Sequence, residues 1–483
     1  MRGVHSVEEV RAAENGALAG SHGGELMLRA ATALAATCAQ VLVGRSGSVY
    51  GSTVVLLVGS GNNGGDALYA GSLLASRGAR VIVVAADTTM HQAGAAEARR
   101  RGARIVDASD GPAAIESADL VVDGILGIGG RGDLREPARH LVARATDSAA
   151  VVVAVDLPSG VDADTGAADD SAVWADITVT FGLRKLGLLL HPGSMHAGVT
   201  ELVDIGLDEH AVVPSVTCLD NDDVAELLPY PTPLDHKYSL GVTGIAAGSV
   251  AYPGAAVLAV GGALNTKPGM VRYVGAAADQ VVSAWPSAVV SRGSVAHAGR
   301  VQAWGVGPGL GLDDAARRTL AEVLGAAVPV VVDADALSML ADASDLVRQR
   351  AAETVLTPHA TEFARLAPDL DLSNDRVTAV RTLAARLGCT VLLKGATTVV
   401  ADADGRVRLN LTGTPWLATG GTGDVLTGVV TALLASGLES LDAASVGAYL
   451  HGLAGRIAAN GAATTADAVA RALPEVERRV RRP

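Results

Sequence analysis

The chain has 483 residues, 49% hydrophobic and 18% charged, which supplies a large core and excludes a highly charged disordered polypeptide. Its 38 basic and 51 acidic residues leave a net charge of −13, which removes any general electrostatic case for binding nucleic acid or an anionic membrane. Aromatic residues are only 3%, and just four basic residues are lysines: Lys185, Lys237, Lys267 and Lys394.

The three cysteines, Cys38, Cys218 and Cys389, are far apart in sequence. No disulfide framework or CxxC metal site is expected, which fits a reducing cytosol. The first twenty residues are of mixed charge and lack the apolar stretch of a signal peptide. Apolar runs such as VVLLV and VVVAV are shorter than the ~20 residues of a spanning helix. A soluble, cytoplasmic protein is expected, with no nucleic acid and no membrane among its partners.

In chain order, apolar positions around 7–18 and 26–43 predict two leading helices. Short Val/Ile/Leu runs follow at 54–58, 81–85, 120–122, 151–155 and 177–180, separated by Ala-rich helical stretches such as 67–77 and 93–101. Continuous apolar runs alternating with helices indicate buried parallel strands in an α/β, doubly wound domain. Asp and Pro concentrate over 205–240, as in a linker. A second α/β series begins at 244–247 and continues at 302–305, 330–333, 354–357, 390–394 and 397–401. The motifs of the halves differ in order. Two unrelated α/β domains are therefore expected, at 1–215 and 222–483.

In the first half, the strand at 54–58 runs into Gly59-Ser60-Gly61-Asn62-Asn63-Gly64-Gly65-Asp66. Gly59, Gly61 and Gly64 satisfy G-x-G-x-x-G, and Asp87 follows after the next strand. Small residues there let backbone amides approach a pyrophosphate. One cap suffices to start a helix. Two amides and a carboxylate exceed that need and suit a hard cation or a polar ligand. Asp123 and Asp156 also end strands, in VVDGILG and VDLPSGVD. Each could be a turn residue alone. Because carboxyl ends of parallel strands line the ligand crevice, Asp66, Asp123 and Asp156 are predicted to converge. TFGLRKLG then brings in Lys185 after another strand.

In the second half, Gly420-Gly421-Thr422-Gly423-Asp424 opens an apolar helix. Free amides at such a start form an anion hole, and a carboxylate beside it can take a proton from an attacking hydroxyl. With Lys394-Gly395 after a strand, this points to nucleotide-dependent phosphoryl chemistry. His359, with Glu362 three residues on, also follows a strand. Asp333 and Asp335 either approach Mg²⁺ through water or cap the next helix.

GSGNNGGD, DGILG with the following GRGD, VDLPSG, TFGLRK and the early ENGALAGSHGGELMLRAA together resemble the NAD(P)H-hydrate epimerase family, over about residues 1–210. The resemblance implies a K⁺ ion held by Asn63, Asp123 and Ser159. It implies substrate contacts from Asn62, Asn63, Gly64, Gly65 and Asp66, from Gly127, Ile128, Gly129, Gly130, Arg131, Gly132 and Asp133, and from Asp156. Asp156 is the candidate acid/base for interconverting R and S hydrates at C6 of the nicotinamide, with Lys185 assisting. Two positions depart from the family: Ala67 stands where Gly is usual, and Ile128 replaces a Thr, removing a hydroxyl near the expected phosphate.

HKYSLG, AGSVAYPGAAVLA, GVGPGLG, VVDADAL, LTPHATEFARL, LLKGATTVV and ATGGTGDVLTGVV, in that order, resemble the ADP-dependent NAD(P)H-hydrate dehydratase family, over about 222–480. That family has a ribokinase-like fold, so the expected architecture is a Rossmann-like doubly wound domain followed by a ribokinase-like one. The resemblance implies that Asp424 deprotonates the C6 hydroxyl of the S hydrate for attack on the terminal phosphate of ADP, with Mg²⁺ accompanying the nucleotide. It implies nucleotide contacts from Lys394, Gly395, Ala396, Thr397, Thr398 and Gly423, and hydrate contacts from Ala255, Gly309, His359 and Asp424. The stretch ALNTKPGM at 263–270 departs from the family pattern. A homo-oligomer is expected.

Two other readings stay open on the motifs alone. One is a kinase of a small hydroxylated metabolite fused to a dinucleotide-binding domain. The other is a non-enzymatic NAD-binding scaffold. In a chain that otherwise uses Arg, Lys185, Lys237 and Lys394 each fall inside a motif, where a compact ammonium differs from a guanidinium fork.

Overall fold

Two of the apolar runs show how the sequence builds its sheets. In the strand Thr53–Val58, Val54, Leu56 and Val58 pack into the core on one face, and Val55 and Leu57 into the core on the other. Both faces are covered, so the run is apolar throughout. The computed structural model describes residues 1–20, 24–130, 132–208, 211–266 and 269–481. They form two compact units, Gly3–Ser215 and Val216–Pro483, the latter joined by Met1–Arg2.

In the first unit, Thr53–Val58, Arg80–Ala85, Arg104–Val106, Leu120–Gly124, Val151–Val155, Ile177–Phe181 and Val199–Val203 form a seven-stranded parallel sheet. Numbered by sequence within the sheet, their order is 3-2-1-4-5-6-7. This is the Rossmann-like order, with its switch point between Thr53–Val58 and Leu120–Gly124. Glu25–Ser46 and Asn62–Ser76 cover one face through Leu34, Cys38, Leu42, Leu68 and Leu74. Leu141 and Val142 of Ala138–Thr146 pack on the other.

The runs read from the sequence suggested nothing of spanning length. The helix Glu25–Ser46, at 22 residues, is nonetheless long and apolar enough to cross a membrane by length and composition. Ala30, Ala31, Leu34, Ala35, Cys38, Ala39 and Leu42 of that helix belong to the core described above, which accounts for its apolar character.

The second unit carries an extended sheet built from strands of Val216–Pro483. Val242–Ala246, Met270–Val274, Val289–Ser291, Ala303–Val306, Val330–Val332, Thr354–Leu356 and Thr390–Leu393 are parallel and again follow the order 3-2-1-4-5-6-7. Thr398–Ala401 and Val407–Asn410 then continue antiparallel, and Val216–Cys218 pairs with the last of these. The sequence pattern did not reveal Met270–Val274 or Val407–Asn410. Both carry an Arg inside the strand, and Arg408 is buried because Asp442 accepts from it.

The Asp-rich stretch around 220 was expected to be linker. It contains the strand Val216–Cys218 and the helix Asn221–Leu227. Asp220 caps that helix by accepting from the N–H groups of Asp222 and Asp223, and Asp223 returns the bond to Asp220 N at 2.9 Å. The acids there are local helix-start chemistry.

The helices Pro253–Leu264 and Thr422–Ala435 cross at backbone contact. A Cβ on Gly262 would lie 2.2 Å from Val425 O, and one on Gly428 would lie 2.0 Å from Ala259 O. Only glycine permits that approach, and it seats the start of Thr422–Ala435 at the carboxyl end of the sheet. Lys267 and Pro268 lie outside the described residues.

Candidate functional site

In the first unit the glycine turn after Thr53–Val58 is enforced by backbone proximity. A Cβ on Gly59 would fall 2.0 Å from Ile125 O, and one on Gly64 2.3 Å from Gly59 O. The helix Asn62–Ser76 therefore starts hard against the end of Leu120–Gly124. This brings Asn63 beside the loop after Asp123. Asn63 Nδ2 donates to Leu126 O at 2.9 Å. Ser159 donates through N and Oγ to the two oxygens of Asp123, at 2.8 and 2.6 Å, and accepts from Leu126 N at 2.8 Å. Asn63, Asp123 and Ser159 thus sit together, with Leu126 O among them.

Asp123 is fully buried, and its hydrogen bonds come from Ser159 and Ile125 N, with no basic side chain among the described residues. Burial pushes its carboxyl up to about 6, against the lowering effect of those bonds. A cluster of one buried carboxylate, a hydroxyl, an amide and a carbonyl fits a hard monovalent cation. The ion would supply the positive charge that the side chains lack.

Asp156 follows Val151–Val155 with a φ of 65°, a left-handed conformation uncommon outside glycine and typical of functional turns. Its Oδ1 accepts from Lys185 Nζ at 2.6 Å, Thr180 Oγ1 at 3.1 Å and Phe181 N at 3.3 Å. Lys185 is 2% exposed and also donates to Phe181 O at 2.6 Å. Asp66 and Glu14 share this cluster. Burial raises Asp66 well above the usual carboxylate range, and the facing charges of Asp156 and Glu14 add to the effect. Burial likewise raises Glu14, with Lys185 opposing. Asp66, from the start of the helix Asn62–Ser76, and Asp156, from a strand end, thus share a cluster, whereas Asp123, expected to converge with them, is bonded to Ser159 in its neighbouring loop.

Glu14 carries a signal that motif reading passed over. It lies on the same helical stripe as Val7, Val10 and Ala13, which are buried, so a carboxylate there faces inward. Gly127 and Gly130 close a turn through a 2.8 Å bond, and Ile128 packs against the cores containing Val7 and Val10. Gly129 comes near the Arg11 guanidinium. Asn62 is exposed. Gly132 and Asp133 are exposed as well, and Asp133 shares a hydrogen bond with Asp169 that raises its carboxyl. Arg131 lies outside the described residues.

In the second unit, Asp333 at the end of Val330–Val332 is 1% exposed. Its Oδ1 accepts from Lys394 Nζ and its Oδ2 from Thr427 Oγ1, both at 2.7 Å. Glu362 lies 3.8 Å from the same ammonium. Burial alone would lower Lys394, but Asp333, Glu362 and Asp424 outweigh it and hold the ammonium above its ordinary value. Gly423 is the gap beside this pair, with Lys394 Nζ 3.4 Å from where its Cβ would be.

Asp424, in the first turn of Thr422–Ala435, is pushed up to about 7 by burial and then by Asp333, with Lys394 opposing and Asp335 adding. A carboxylate tuned near neutrality beside a helix N-terminus is suited to general base work. Asp335 accepts from Gly311 N at 2.8 Å. Between the two aspartates Ala334 has a φ of 51°. Thr427 has no distinguishing mark in sequence beyond its place one turn after Gly423.

Ala255 and Gly309 are adjacent, since a Cβ on Gly309 would lie 2.7 Å from that of Ala255. His359 is exposed and caps Ala360–Leu366, accepting through Nδ1 from Thr361 N and Glu362 N. Its Nε2 lies 3.5 Å from Glu362 Oε1. Gly395 and Ala396 are exposed, Thr397 is buried, and Thr398 begins the next strand. Lys237 is at the surface over the Tyr238 ring, away from the lysine roles just described.

Two α/β units of Rossmann-like and ribokinase-like order, each with carboxylates gathered at a glycine-opened helix, define a nucleotide-handling enzyme of two catalytic modules. The pattern of the family described as "NAD(P)H-hydrate dehydratase" matches residues 243–475, and that of "YjeF-related protein N-terminus" matches 23–187. The chain is 48% identical over 447 residues to a "Bifunctional NAD(P)H-hydrate repair enzyme" of Mycobacterium tuberculosis, covering 92% of each. It is 47% identical over 462 residues to that of Mycobacterium leprae, covering 95% of this chain and 94% of the relative. A crystal structure of ADP/ATP-dependent NAD(P)H-hydrate dehydratase from Bacillus subtilis, co-crystallised with ATP/Mg²⁺, is similar at a TM-score of 0.50 and 29% identity, over 55% of this chain and 99% of that one. A ribokinase-like superfamily protein from Enterococcus faecalis shares the fold at a TM-score of 0.52 and 24% identity, over 56% of this chain and 98% of that one. The chain belongs to the family of bifunctional NAD(P)H-hydrate repair enzymes.

Proposed function

We propose that this chain repairs hydrated NADH and NADPH in two steps: residues 1–215 interconvert the R and S hydrates, and residues 222–483 dehydrate the S form at the expense of ADP. The observation that carries the reading is Asp424, a carboxyl held near neutrality at the mouth of an apolar helix and beside Lys394. Asp424 takes the proton of the C6 hydroxyl, and the resulting oxygen attacks the terminal phosphorus of ADP. AMP leaves. The C6–O bond of the resulting phosphate ester then breaks with its electron pair leaving on phosphate, the C5 proton passes to solvent water or the departing phosphate, and the C5=C6 bond of the reduced nicotinamide is restored. Phosphorylation turns a poor leaving group into a good one, so the nucleotide is consumed.

The amide groups of the Thr422–Ala435 start and the Lys394 ammonium stabilise the phosphoryl oxygens. Asp333, engaged by Lys394 and Thr427, orients that ammonium. Among the described residues no group of three or more His, Cys, Asp or Glu forms a metal cage. Mg²⁺ would accompany the nucleotide phosphates, as in the Bacillus subtilis dehydratase co-crystallised with ATP/Mg²⁺. Lys394, Gly395, Ala396, Thr397, Thr398 and Gly423 serve the nucleotide, and Ala255, Gly309 and His359 serve the hydrate.

In the first unit Asn63, Asp123 and Ser159 hold K⁺, which supplies fixed positive charge to a buried carboxylate. Asp156 works at C6 with Lys185, and the turns at 62–66 and 127–133 bind the substrate.

The test incubates mixed R and S hydrates with Mg²⁺, K⁺ and ADP or ATP, and follows NADH absorbance. Full recovery with release of phosphate is expected. A stable phosphorylated product would instead support a metabolite kinase. Recovery that stops at the S fraction would overturn the epimerase assignment.

A further inference from the structure

Asp66 is unlike its neighbours in one respect. Its Oδ1 is buried and has no hydrogen-bond partner among the described residues. Asp156, by contrast, receives three donors, including the Lys185 ammonium at 2.6 Å, and all three fall on Oδ1. The cluster therefore holds three carboxyl groups, Asp66, Asp156 and Glu14, and one ammonium, which is bound to Asp156. The charged groups facing Asp66 are Asp156, Glu14 and Lys185, and Glu14 in turn faces Arg11. A buried carboxylate oxygen without a donor, placed against other carboxylates, is unstable as an anion. Two carboxyls whose surroundings differ in this way divide the work of acid and base.

We propose that Asp66 carries a proton and donates it to the C6 hydroxyl of the hydrate, as the acid that works opposite Asp156. This rests on the epimerase reading above and adds a catalytic residue to it. Asp66 gives its proton to the hydroxyl oxygen. The C6–O bond breaks with its electron pair going to that oxygen, and water leaves. The N1 lone pair forms N1=C6. Water then adds to C6 from the opposite face while Asp156 takes its proton, and the N1=C6 pair returns to N1. One proton has moved from Asp66 to Asp156, and turnover in the other direction, or exchange of the two carboxyls with solvent protons during net one-way flux, resets the pair. Desolvation of Asp66 is consistent with this role, because the neutral form is the donor.

The test follows interconversion of separated R and S hydrates without ADP, in wild type, Asp66→Asn and Asp66→Glu. Asp66→Asn is expected to lower kcat by ~100-fold or more with KM within about threefold, and Asp66→Glu to recover part of it. In wild type the rate should fall as pH rises through loss of the Asp66 proton, and this limb should be missing from the residual Asp66→Asn activity. In H₂¹⁸O the inverted epimer should carry solvent oxygen. Asp66→Asn with kcat within threefold of wild type, or an unlabelled inverted epimer, overturns the proposal. If Asp66→Asn does not fold, the wild-type pH profile and the label still decide it. A wild-type enzyme that interconverts nothing would refute the epimerase reading itself.

Discussion

Lys185 Nζ lies 2.6 Å from Asp156 Oδ1, and the two side chains are only 2% and 12% exposed. Removing one member of a buried ion pair leaves the other uncompensated, at a cost of roughly 3–5 kcal/mol. Lys185→Met is therefore expected to lower the urea midpoint of the first unit by the equivalent of about 3 kcal/mol and to abolish R/S interconversion. Lys185→Arg should not restore it, because the guanidinium is bulkier in a closed site. Wild-type interconversion in Lys185→Arg would refute the need for a compact ammonium.

Asp424 gives a pH prediction of definite sign. Dehydration requires its carboxylate, so the rate should fall as pH drops through about 7. Asp424→Asn should reduce turnover by ~1,000-fold while ADP still binds, measured by calorimetry. Its raised carboxyl has the opposite consequence for stability. The folded chain retains a proton that the unfolded chain releases, so this contribution is full below about pH 4 and is lost as pH rises through about 7. At pH 8 Asp424→Asn should be more stable than wild type by about 2 kcal/mol, roughly half the full shift because the side chain is part-exposed. At pH 4 the gain should vanish.

The helix crossing at Gly428 tests how the phosphate-facing helix start is positioned. Gly428→Ala would place a methyl 2.0 Å from Ala259 O. Overpacking against backbone should cost about 3 kcal/mol in thermal or urea unfolding and suppress dehydration. R/S interconversion in the same protein serves as the internal control and should persist.

For the proposed K⁺ site, Ser159→Ala removes the hydroxyl that donates to Asp123 at 2.6 Å. The K⁺ concentration giving half-maximal interconversion should rise about tenfold, equivalent to roughly 1.4 kcal/mol of lost ion binding. Replacing K⁺ by Li⁺ should depress wild-type activity, since the smaller ion suits a tighter oxygen shell. An unchanged K⁺ dependence in Ser159→Ala would remove that hydroxyl from the ligand set.

The runs at 54–58 and 151–155 were legible as strands because burial on both faces demands unbroken apolar sequence. The glycine turns at Gly59–Asp66 and Gly420–Asp424 were legible because close backbone approach demands missing side chains. Met270–Val274 and Val407–Asn410 were hidden, since an Arg whose partner lies elsewhere in the fold interrupts the apolar pattern. Glu14 was hidden in the same way, as one acid on a buried helical stripe.

By itself the sequence determined the α/β class, most of the central strands and the residue types at their carboxyl ends, because periodicity and turn chemistry are local; the order of the strands in each sheet came from the tertiary structure. It also marked Lys185 and Lys394 as unusual in an Arg-rich chain. Only the tertiary structure decided which charges face one another. Lys185 meets Asp156 while Asp66 is left without a donor, and Lys394 meets Asp333 while Asp424 is held near neutrality. Protonation depends on burial and on neighbours distant in sequence, and those exist only once the sheets have brought their strand ends together.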